Sequence, residues 1–157
     1  MSLSTQESVK EGFRRAVREN LARTLKTPED WDRFKSILRE TDARLVMEQA
    51  AHARDYQQRI AEANEMILRE ENGVRLEEPL PPWVHKHSDA DLLEHKAQAR
   101  VQQDYDRRVA AIKKDELDGF QDLAAEIRAR DAPTQAFNRA HDRSQDRSPQ
   151  LSGPKRS

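Results

Sequence analysis

Residues Val46, Gln49, Ala53, Tyr56, Ile60, Ala63 and Ile67 recur in six steps over 21 residues, a mean spacing of 3.5. A strand needs alternation at period two, whereas 3.5 is the heptad period. The stretch therefore predicts a helix over about 42–71 with one seam available for burial. Asn72-Gly73 closes it, because Gly73 suits the left-handed position just past a helix end.

Three more helices are expected. Ser4 and Glu7 have the spacing of a capping box, and Val9, Phe13, Ala16, Val17, Leu21 and Leu25 give an amphipathic helix over about 4–26. Thr27-Pro28-Glu29-Asp30 is the sharpest start signal. Thr27 caps, Pro28 sits where no N–H is needed, and two acids meet the positive end of the dipole. A short helix over 28–40 follows, with Trp31, Phe34, Ile37 and Leu38 on its inner face and a break at Thr41-Asp42. The last helix, 89–130, starts at Ser88 and Asp91. Its stripe of Leu93, Ala97, Val101, Tyr105, Val109 and Ile112 takes five steps over 19 residues, a mean of 3.8. That drift opposes the 3.5 of 46–67, so a bent hairpin fits better than a long, regular coiled coil. Leu117, Phe120, Leu123, Ala124 and Ile127 resume after a phase slip, which predicts a kink or break near 113–119.

Residues 73–88 form a Pro-rich loop. Pro79, Pro81 and Pro82 argue against helix there. Leu76, Leu80, Trp83 and Val84 are too apolar for a free tether, so the loop is expected to fold back. The tail, 131–157, is poor in bulky apolar residues and carries the near-repeat Asp-Arg-Ser-Gln-Asp-Arg-Ser-Pro at 142–149; disorder is expected. The fold class is thus all-α. Short N-terminal helices pack on a longer helical hairpin in one domain, 1–130, followed by the disordered tail.

Composition narrows function by exclusion. With 36% charged residues, no apolar run approaches the ~18 residues of a membrane span. The absence of cysteine excludes disulfides, thiolate zinc sites and thiol catalysis. Leu, Ile, Val and Phe together make about 18% of the chain, near the ~20% line where chains struggle to fold. The formal net charge is only −1, and the charges are interspersed as on solvated helix faces. A homodimer or a protein partner would relieve so thin a core by burying the 46–67 seam. Met1-Ser2-Leu3-Ser4 lacks a basic start and no apolar segment follows, so a cytoplasmic location is expected.

No phosphate-binding glycine loop, nucleophile elbow or zinc-finger spacing is present. The chain is accordingly read as non-enzymatic and without a cofactor. The first functional reading is an interaction or accessory protein that binds itself or another protein through Val46, Ala53, Tyr56, Ile60 and Ile67. On that reading, Ile60→Asp abolishes association. Trp83, in Pro-Leu-Pro-Pro-Trp, is either a docking hook or a staple holding the loop down. The staple is preferred, because tryptophan has the largest area to bury.

The alternative is a nucleic-acid accessory protein of DNA transfer or regulation. Lys10, Arg14 and Arg18 form a basic row on the first helix, which holds six bases and three acids, and the tail is also basic. Glu7, Glu11 and Glu19 interrupt that field, which makes nucleic acid the minority reading. A third, weaker reading is a metal site at His85, His87 and His95, whose imidazoles are suitable ligands but whose spacing matches no recurrent site. Glu48, His52 and Asp55 share a helix face where a carboxylate can orient a histidine. Arg59 lies on that face too, so it reads as solvated and laced by i,i+4 pairs.

Overall fold

The computed structural model describes the backbone of residues 3–151, and the side chains of residues 6–86 and 88–132. The protein is all-α. In chain order the helices are α1 (Leu3–Thr24), α2 (Pro28–Arg54), α3 (Tyr56–Asn72), α4 (Pro82–His87) and α5 (Ala90–Leu151). The expected disordered tail falls, after its first two residues, on side chains outside the described residues, as does the Ser4 cap. The chain divides into two compact units, one of residues 1–36 and 117–157, the other of residues 37–116.

The first unit is built on α1, the start of α2 and the later part of α5. Leu21, Leu25, Phe34, Phe120, Leu123 and Ile127 are buried. Phe34 stacks on Phe120 at 5.3 Å between centroids, and Trp31 meets Phe34 edge-on at 5.9 Å. The start of α2 follows the chemistry of its sequence. Thr27 Oγ1 accepts the Asp30 backbone N–H at 3.1 Å, and Glu29 and Asp30 occupy the first turn.

The second unit is a helical hairpin in which α5 returns antiparallel to α2 and α3. Ion pairs Arg44–Asp115 (2.8 Å), Glu48–Arg108 (2.5 Å), Glu70–Arg100 (2.7 Å) and Glu71–Lys96 (3.2 Å) fix that direction. Ile60, Ala63, Ile67, Ala97 and Val101 form its apolar cluster, with Tyr56 and Leu93 packed against it.

Besides the end of α5, expected near 130 and found at Leu151, three boundaries differ from expectation. The break foreseen at Thr41-Asp42 is absent: α2 runs on to Arg54, and Thr41 is buried with Oγ1 donating to the Ile37 carbonyl at 2.9 Å. That bond satisfies the buried hydroxyl inside the helix, which shares the Ile37 carbonyl with the backbone. The interruption falls at Asp55 instead, where φ is −100° and ψ is 10°. Asp55 still donates to Ala51 O (2.8 Å) and accepts from Arg59 N–H (2.9 Å), so this is a bend rather than a loop. The slip near 113–119 produces no break, because α5 passes through it as one helix.

The Pro-rich connection is the third difference. Prolines were expected to exclude helix from 73–88, yet Pro82 opens α4, with Pro81 extended at φ −64°, ψ 141° as its cap. A proline at the first helical position loses nothing, since its N–H would be unpaired there anyway. The loop does fold back, but Trp83 is not the staple. Trp83 is 52% exposed, whereas Val84 is 2% exposed. Buried Arg69 holds the turn from inside, donating Nη1 to the carbonyls of Arg75 and Glu78 at 2.5 Å each and Nη2 to Glu65 at 2.9 Å. Gly73, at φ 65°, ends α3 in the left-handed conformation foreseen for it.

Candidate interaction surface

Between Thr41 and Arg54, α2 is turned inside out. Its inward row holds Thr41, Arg44, Leu45, Glu48 and His52, and polar groups dominate it. Its outward row holds Ala43, Val46, Met47, Ala50 and Ala53, all exposed, with Val46 at 65% and Met47 at 71%. An amphipathic helix in a lone domain normally does the opposite.

The inward polar row is satisfied by α5. Glu48 accepts from Arg108 Nε at 2.5 Å and lies 3.6 Å from Arg59 Nη1. The His52 ring stacks on Tyr105 at 4.1 Å and meets Tyr56 edge-on at 5.5 Å. Arg59 Nη1 approaches His52 Nδ1 at 3.3 Å, linking the two sides of the Asp55 bend. At the bend, the hydrogen bond from Arg54 holds the Asp55 carboxyl below the usual carboxylate range. The face of Glu48, His52 and Asp55 was expected to be solvated; Tyr105 instead covers His52. The contact is invisible in sequence because it depends on which turn of α5 lies opposite.

A cavity of about 260 Å³ beside this cluster is lined by Arg59, Arg100, Arg108, Glu62 and Asp104 over Ala63 and Val101. Its charges are mixed and largely spent. Arg59 and Arg108 share Glu48, and Arg100 is bound by Glu70, which raises its pKa further. Arg108 Nη2 is buried with no hydrogen-bond partner among the described residues. The arrangement supplies no nucleophile beside a base.

The structure splits the predicted interaction set. Ile60 and Ile67 are buried and Tyr56 packs on their cluster, so these three serve the internal core. Val46, Ala53 and Trp83 face outward. The continuous seam read from 46 to 67 therefore does not exist as one surface, because the Asp55 bend separates two faces. Met47, Ala43 and Ala50 extend the exposed half and were missed. The signal was the three- and four-residue spacing that links them to Val46 and Ala53.

Of the basic row, Lys10 is exposed, while Arg14 and Arg18 are half-buried and Arg14 pairs with Glu11 at 3.4 Å. Val9 and Phe13, expected inside, are 69% and 58% exposed. His85 is exposed, and His95 Nδ1 lies 2.8 Å from the Asp91 carbonyl of its own helix. The His87 side chain lies outside the described residues. Among the described residues no group of three histidine or acidic side chains gathers round a point that would hold a metal ion, and no helix is long and apolar enough to cross a membrane.

No protein-family model, curated protein or solved structure matches the chain.

Proposed function

We propose that this chain is a non-enzymatic interaction or accessory protein, and that it binds protein through the outward face of α2. The inversion of α2 carries this reading. Thr41, Glu48 and His52 occupy the inner side, where burial of polar groups has to be compensated, while Val46 and Met47 are left in water. A partner covering the outer face would restore the burial that a chain so short of large apolar residues needs. The nucleic-acid reading draws less support, since Arg14 already has an acidic partner and Arg18 is half-buried.

A photo-crosslinking residue at position 47 of the full chain tests the reading, with exposed position 110 on α5 as control. Protein adducts concentrated at 47 are expected. Equal labelling at both positions, or none at 47, sinks the proposal.

A further inference from the structure

We infer that the occupant of this face is a second copy of the same chain, with the two α2 helices antiparallel about a two-fold axis near position 48. The inference rests on reading α2 as an interaction surface and names its partner. Ala43, Val46, Ala50 and Ala53 are spaced by steps of three, four and three, which is a heptad seam. Reversing the helix about position 48 sets Ala43 opposite Ala53 of the second copy and Val46 opposite Ala50. Large meets small in the central layers, and the alanines permit close approach, near the lower end of the ~8–10 Å range of packed helices.

Charge selects both the partner and the direction. Glu40 is exposed and has no ion pair among the described residues, and it lies seven positions before Met47. Arg54 lies seven positions after Met47, and its side chain is 72% exposed. Its Nε and Nη2 are engaged by Asp55 at 3.0 and 3.1 Å, leaving Nη1 for another acceptor. In the antiparallel pair the two Met47 side chains meet, and Glu40 of each copy reaches Arg54 of the other. The two-fold axis makes that contact twice. In a parallel pair Glu40 and Arg54 stand 14 residues apart, about 21 Å along the axis, and neither is used. The contact is short, so the dimer is a weak, reversible one, with a dissociation constant on the order of tens to hundreds of micromolar.

Sedimentation equilibrium of the full chain from about 10 µM to 1 mM tests this. A monomer–dimer equilibrium is expected. Ala50→Arg should weaken it roughly tenfold or more by wedging a charge into the seam. Glu40→Lys and Arg54→Glu should each weaken it about three- to tenfold, since each turns two attractions into repulsions. An equimolar mixture of those two variants should recover wild-type association, because both cross-pairs in the mixed dimer are again opposite in sign. A variant that merely misfolds gains nothing from mixing. A monomer throughout the range, a dimer indifferent to Ala50→Arg, or a mixture no tighter than either variant would each overturn the inference. Crosslinking at position 47 to some other protein, with the chain monomeric, would overturn the second copy while keeping α2 as an interaction surface.

Discussion

Asp30 and Arg130, a hundred residues apart in sequence, join through two hydrogen bonds of 3.0 and 2.8 Å. Asp30 is 5% exposed, and the Arg130 hydrogen bond is the main reason its carboxyl is held down to about 2, with Thr27 adding to the effect. In the unfolded chain the same carboxyl titrates near its ordinary 3.8. The unfolded state therefore binds the proton first as pH falls. The pair's contribution is fully present above about pH 4 and is lost as pH drops through about 2. Denaturation curves of wild type and Asp30→Asn should diverge above pH 4 and converge towards pH 2. Parallel curves across that range would mean the pair carries no pH-dependent stability.

Phe120 is 1% exposed and stacked on Phe34. Phe120→Ala should cost about 3–5 kcal/mol, combining lost transfer energy with a cavity that helices cannot easily close. Trp31→Ala, at a residue 39% exposed, should cost visibly less. Urea midpoints of the two variants, taken at equal slope, give the ranking; equal losses would contradict the packing described.

The all-α class was legible because helical periodicity and capping signals survive without knowledge of the partner helix. The Thr27–Asp30 start and the Gly73 stop are of that kind, since each depends on a few adjacent residues. What was not legible depended on contacts distant in sequence. The polar inner row of α2 is stable only because Arg108 and Tyr105 on α5 meet Glu48 and His52. A hydrophobic reading therefore ran Val46 and Ala53 into one interaction seam with Tyr56, Ile60 and Ile67, whereas the first two face outward and the other three serve the internal core. Trp83 failed similarly: its area argues for burial, but Val84 took the inner position.

Arg69 is a second case where a long-range role outweighs appearance. Burying an arginine is costly unless its donors are used, and here they hold two loop carbonyls and Glu65. Arg69→Ala leaves the Arg75 and Glu78 carbonyls without this donor and should cost about 2–4 kcal/mol. Amide exchange should quicken first over residues 74–81, before the rest of the chain responds. Uniform acceleration would mean that Arg69 supports the whole unit rather than this turn.

Ile60 and Val46 lie two heptads apart in the sequence seam but on opposite sides of the protein–water boundary, at 7% and 65% exposure. Ile60→Asp places a charge against Ala63, Ile67, Ala97 and Val101 with no partner. That should cost about 4 kcal/mol or more, which a small helical unit with a thin core does not survive. Val46→Lys, on a solvent-facing turn and with a good helix former, should change stability by no more than about 0.5 kcal/mol. Ile60→Asp is therefore expected to lose helical circular dichroism, and with it any association. Val46→Lys should keep its helical signal and melting temperature while losing self-association. Were Val46→Lys to unfold the chain as well, the outward placement of α2's apolar row would be wrong.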